Sequence, residues 1–95
     1  MSARADLDAR LAAAEAVRIR HLGDGAVVLH LQTSHLYTLD ATGARMWAAI
    51  VEEDTLRDAR DALLEVFEVA PERLGSDLLA FADELLAMGL LRKAD

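Results

Sequence analysis

Residues 17–39 constrain the fold of this chain more than any other stretch. Val17-Arg18-Ile19-Arg20-His21 alternates apolar and polar residues, the period of a strand with one buried face. Gly23-Asp24-Gly25 follows and supplies positive-φ positions for a hairpin turn. Ala26 to Leu31 reads as a second strand, with Val27, Leu29 and Leu31 on one face. Gln32-Thr33-Ser34 turns the chain again, and His35 to Leu39 forms a third strand in which Tyr37 and Leu39 point the same way. Consecutive turns this short imply an antiparallel meander.

The segments on either side read as helical. Ala5 to Ala16 is Ala-rich, with Leu7 and Leu11 four residues apart. It reads as a weak amphipathic helix or a frayed extension, because its apolar stripe is too thin to anchor it strongly. After the meander, Asp40 or Thr42 can cap a helix running to about Glu52, with Met46/Ile50 and Trp47/Val51 as two adjacent apolar columns. Thr55-Leu56-Arg57-Asp58 fits a capping box, and the helix behind it places Leu56, Ala59, Leu63 and Val66/Phe67 on one stripe. Pro71 suits the first turn of a third helix, which runs to about Met88 and stops at Gly89. The expected fold is a single α+β domain, a three-stranded antiparallel meander followed by three helices. Residues 1–16 are then an N-terminal extension, 17–91 the domain and 92–95 a tail.

Composition narrows the chemistry. At 95 residues the chain is one domain, and with Tyr37, Trp47, Phe67 and Phe81 as its four aromatics the core must be mostly Leu, Val and Ala. It has no cysteine, which removes disulfides, thiol nucleophiles and thiolate zinc sites. No apolar run approaches the ~18 residues of a membrane span, and the N-terminal residues lack a signal peptide's hydrophobic segment, so a cytoplasmic protein is expected. Ten Lys and Arg against 17 Asp and Glu give a net charge of −7, with the basic residues scattered, which disfavours phosphate backbones as partners. The histidines are His21, His30 and His35; His30, His35 and Asp40 can approach one another around the second hairpin turn, but no HxxxH or HxH spacing points to a metal. No phosphate loop, G-x-S-x-G or HExxH motif occurs. A non-enzyme without metal or cofactor is expected. Trp47, four residues before Val51, reads as the core's largest anchor rather than a ligand-stacking ring.

Two features exceed what a core requires. A meander has two edge strands, and folded proteins usually blunt such edges with charge or proline. The first strand does so with Arg18 and Arg20, whereas Ser34-His35-Leu36-Tyr37-Thr38-Leu39 carries no Lys, Arg, Glu or Pro. Either the N-terminal segment covers that edge, or it is open to a guest strand. The last helix, meanwhile, has one complete apolar stripe (Leu74, Leu78, Phe81, Leu85, Met88) and a second beside it (Leu79, Ala82, Leu86). The second stripe suits wider packing, a dimer contact or a binding groove for an extended peptide.

These same segments resemble the PqqD-like family, the recognition elements that bind leader peptides of ribosomally made, post-translationally modified peptides (RiPPs). The resemblance rests on Asp24-Gly25, on Tyr37-Thr38-Leu39-Asp40-Ala41-Thr42-Gly43-Ala44-Arg45-Met46-Trp47, on Asp77-Leu78-Leu79, and on Leu85-Leu86-Ala87-Met88-Gly89-Leu90-Leu91. It implies a winged helix-turn-helix-like fold in which the leader adds as a strand to the third strand and lies against the third helix. The peptide-binding residues so implied are Ser34, His35, Leu36, Tyr37, Thr38 and Leu39 with Leu78, Leu79, Ala82, Asp83 and Leu86. Within the family, Thr42-Gly43-Ala44-Arg45-Met46-Trp47 most resembles the stand-alone proteins of lasso-peptide pathways, which present the precursor to a leader peptidase and then a cyclase. The match to the pyrroloquinoline quinone pathway protein is poorer: a Leu-Cys-Asp-Gly stretch is usual there, and Ile50-Val51-Glu52-Glu53 stands here.

Two other classes compete with this reading. A winged-helix regulator would read DNA with the third helix, but that segment carries Glu72, Asp77, Asp83 and Glu84 against Arg73 alone, and phosphates would repel it. A plain dimerisation module would use the same second stripe.

Overall fold

The computed structural model describes residues 5–94. Eight elements follow one another: β1 Leu11–Ala13, β2 Val17–Leu22, β3 Gly25–His30, β4 His35–Leu39, α1 Ala41–Glu52, α2 Leu56–Leu63, α3 Pro71–Ala87 and β5 Leu91–Lys93. The expected α+β architecture, meander first and three helices after, is what the chain adopts.

The meander is antiparallel in the order β2-β3-β4, with Ile19 opposite Val28 and Val28 opposite Tyr37. Because side chains alternate across a strand, Ala26, Val28 and His30 are buried under the helices and His35, Tyr37 and Leu39 share their face. Val27, Leu29 and Leu36 look outward. Of the turn glycines only Gly23 has a positive φ, 59°. Gly25 is required for space, since a Cβ there would collide with the Leu39 carbonyl oxygen where β3 starts beside the end of β4.

The helices begin where their caps put them. The Asp40 carboxylate accepts from the Gly43 N–H at 2.8 Å and the Thr55 hydroxyl from the Asp58 N–H at 3.1 Å, each satisfying a first-turn donor. α1 turns Ala44, Met46, Trp47 and Ile50 into the core, with Trp47 only 3% exposed, while Val51 stays outside it. α2 ends at Leu63, short of the stripe read from sequence: Val66 lies past the last turn and is exposed. α3 stops against Gly89, which holds φ 74°.

The N-terminal segment is not helical. Leu11–Ala13 pairs antiparallel with Leu91–Lys93, so the expected extension and tail form a second, two-stranded sheet. The Leu7 and Ala9 carbonyls accept from the Arg57 and Leu56 N–H groups, at 2.8 and 3.1 Å, and so cap the start of α2. Two-sided pairing of this kind satisfies the backbone better than an isolated helix of this length, whose nucleation is unfavourable. Leu11 is buried as a result.

Candidate functional site

β4 is an edge strand. It pairs with β3 on one side, and among the described residues nothing pairs with the other, because the N-terminal segment runs to β5 and α2 instead. In an antiparallel strand alternate residues direct both main-chain groups to the same side, so half of this strand's N–H and C=O groups point away from β3. The turn that launches β4 is fixed by Ser34, in a left-handed conformation (φ 61°), whose N–H donates to the His30 carbonyl at 2.8 Å. Leu36 is 66% exposed on this strand, and Ser34–Leu39 carries no Lys, Arg, Asp or Glu to guard it.

Beside the strand lies an open cleft of about 500 Å³, lined by Thr38, Leu39, Asp40, Thr42, Gly43, Met46 and Phe81. Its floor is apolar: Leu39 and Met46 are nearly buried, and Phe81 of α3 forms the far wall, half-buried. Gly43 lets this floor lie close, since a Cβ there would stand 3.3 Å from the Asp40 carboxylate and 3.5 Å from Leu39. At the other end of the strand the Tyr37 hydroxyl and His35 Nδ1 are 3.4 Å apart and their rings meet edge to face.

The α3 positions expected to touch a peptide separate into two groups. Leu78 and Ala82 are fully buried and belong to the core with Leu74, Gly75 and Leu85. Asp83 faces the N-terminal segment, its carboxylate accepting from the Ala5 N–H at 2.7 Å, and Leu79 borders the same hollow with Ala5 and Ser76. Leu86, one heptad from Leu79, lies on that flank half-buried. The flank turned to the β4 cleft is that of Phe81, read from sequence as core, and Met88 of the same stripe is exposed. The centre of the packed face is marked by Gly75 and Ala82, small residues that admit close neighbours and that a count of bulky side chains overlooks. Phe81, Met46, Gly43, Thr42 and Asp40 thus join the site.

The histidines do not gather with Asp40 into one site. His30 and His35 are cross-strand partners, but His30 Nδ1 accepts from the Gln32 N–H at 3.3 Å and Asp40 caps α1 at the opposite end of β4. Among the described residues no three His, Asp or Glu side chains gather as a metal site. Among the described residues no helix is long and apolar enough to cross a membrane.

Residues 25–91 match the family model described as coenzyme PQQ synthesis protein D, PqqD. The chain belongs to the PqqD family. The matched stretch includes β3, β4 and all three helices, and so every wall of the cleft. Among solved structures, this PqqD-family chain is similar to one described as TbiB1 in complex with the TbiA(beta) leader peptide. The two are 33% identical over 88% of this chain and 99% of that one, with a TM-score of 0.81. No curated protein matches the sequence significantly.

Proposed function

We propose that this chain is a RiPP recognition element: it binds the leader of a ribosomally made precursor peptide as an added strand on β4. The observation that carries the reading is an unpaired, uncharged strand edge bordering an apolar cleft, in a PqqD-family chain similar to a protein solved with a leader peptide. Main-chain hydrogen bonds to Ser34–Leu39 supply sequence-independent affinity. Side chains on one face of the guest strand enter the cleft over Met46 and against Phe81, and supply specificity. Leu78 and Ala82 contribute from beneath, as the packing that holds the Phe81 wall in place, while Leu79, Asp83 and Leu86 lie on the flank of α3 nearer the N-terminal segment.

The role is non-catalytic and cytoplasmic. The protein holds the precursor while a leader peptidase and then a cyclase of the same pathway act on it. The Thr42–Trp47 segment favours a lasso-peptide pathway, and neighbouring genes for a short precursor, a transglutaminase-like peptidase and an asparagine-synthetase-like cyclase would support that assignment. Calorimetry with the neighbouring precursor's leader tests the role itself. Binding at about micromolar strength, roughly −8 kcal/mol, is expected; absence of heat at high concentration contradicts it.

A further inference from the structure

The cleft beside β4 is apolar at its floor and acidic at its rim. Phe81 forms its far wall, and on an α-helix the residues three and four positions away are surface neighbours. Of those neighbours of Phe81, Leu78 and Leu85 are buried in the core, while Asp77 and Glu84 are exposed. Met88, four residues beyond Glu84, is exposed on the same flank. Asp77, Phe81, Glu84 and Met88 therefore make a row that alternates acid and apolar over ~16 Å of helix.

Acids on an exposed helix face ordinarily do no more than keep it solvated. These two differ because they share a flank with the ring that walls the cleft, next to an unpaired strand edge. They are also poorly matched within the chain. Glu84 makes no ion pair among the described residues, and Asp77 meets only Arg73 of its own helix, at 3.9 Å with both side chains largely exposed. Asp83, on the opposite flank, is by contrast engaged by the Ala5 N–H at 2.7 Å.

No cation answers this rim from across the cleft. β4 has no Lys or Arg, and the α1 residues that line the cleft are Thr42, Gly43 and Met46. Arg45, the single cation of α1, borders a different hollow with His21 and Asp24. Asp40, at the end of β4, adds a third carboxylate to the lining. The net charge of −7 acts in the same direction at longer range.

A guest strand on β4 with one apolar side chain against Phe81 has its next side chains on that face about 6.7 Å along, two residues away. The carboxylates of Asp77 and Glu84, one turn to either side of Phe81, are within reach of a long side chain there. Resting on the reading that β4 holds a precursor leader, we propose that Glu84 and Asp77 are specificity-determining residues. They select a leader with a Lys or Arg beside the apolar residue that enters the cleft. Apolar burial and strand pairing hold the leader, and the acidic rim discriminates against leaders that are neutral or acidic at that position.

The test uses the full chain and the synthetic leader of the precursor encoded beside it, with calorimetry at about 50 and about 500 mM salt. At low salt Glu84→Gln should weaken leader binding about threefold and the Asp77→Asn, Glu84→Gln double variant about tenfold, with both differences shrinking towards nothing at high salt. Glu84→Lys should bind the natural leader poorly and regain affinity for a leader whose basic residue is replaced by Glu, a rescue that a change in folding alone does not produce. Glu72→Gln removes the same charge about 180° round the helix from Phe81 and should bind like the parent. Leader affinity that is the same at both salts and in the double variant overturns the proposal and leaves the added strand standing. Equal losses in Glu72→Gln and Glu84→Gln overturn it as well, since total charge rather than the rim is then at work. A parent chain that gives no heat with leader at either salt removes the underlying reading instead.

Discussion

Substitutions at the neighbouring residues 81 and 82 of α3 should both destabilise the fold, but only the one at 81 should weaken leader binding. Ala82 is fully buried on the line where α3 packs most closely, whereas Phe81 is half-buried and turns its ring to the cleft. Ala82→Leu forces an isobutyl group into a space shaped for a methyl, and overpacking of that kind costs about 1–3 kcal/mol. For a domain of this size the loss corresponds to a melting point lower by roughly 4–8 °C per kcal/mol. Phe81→Ala removes a ring already partly in water, so its cost to folding is about half of the ~3–5 kcal/mol of a buried phenylalanine. Its distinguishing loss falls on the leader, which forfeits one wall of its cleft; about 2 kcal/mol, or roughly 30-fold in Kd, is expected for an anchor of this type. Chemical denaturation and calorimetry with the leader, run on both variants, separate the two effects. Ala82→Leu should be destabilised yet bind within about threefold of the parent. A Phe81→Ala protein that binds leader as tightly as the parent would refute the placement of the cleft, as would an Ala82→Leu protein of undiminished stability.

Trp47→Ala should cost about 3–5 kcal/mol, as expected for removal of a large core side chain, and show as a strongly lowered or absent thermal transition; an unchanged melting point would contradict its burial. Gly25→Ala should be destabilised by about 1–3 kcal/mol, because the new Cβ meets the Leu39 carbonyl oxygen, a main-chain atom that cannot swing aside. Gly23→Ala, where space is open but φ is 59°, should lose only about 1 kcal/mol, and equal urea midpoints for the two variants would count against this distinction. Duplex DNA should not bind at physiological salt, since α3 carries Glu72, Asp77, Asp83 and Glu84 against Arg73; a salt-sensitive gel shift would contradict this.

What the sequence made legible was local. Alternation in Val17–His21, two tight turns and the caps at Asp40 and Thr55 each act within a few residues, and together they fix the meander and the starts of α1 and α2. The β1–β5 pairing is not local: residues 11–13 meet residues 91–93, and no period in either segment encodes that meeting. The Ala-rich composition of residues 5–16 favours helix by propensity, and tertiary pairing overrides it. The open edge of β4 was legible because absent charges are visible in a sequence. The helix wall of the cleft was harder to read. Leu74, Phe81 and Met88 repeat every seven residues, a spacing that drifts about 20° per repeat on a straight helix. The stripe therefore slides off the packed face, and Phe81 and Met88 leave the core while Ala82 enters it.

The central claim, that a leader adds to β4 as a strand, is tested most directly by amide hydrogen exchange resolved by residue, with and without leader. Added-strand binding predicts that, when leader is present, exchange slows at alternate residues of His35–Leu39, those whose N–H groups point away from β3, while their neighbours already bonded to β3 change little. Leader binding that leaves every β4 amide exchanging at its free rate would contradict the account.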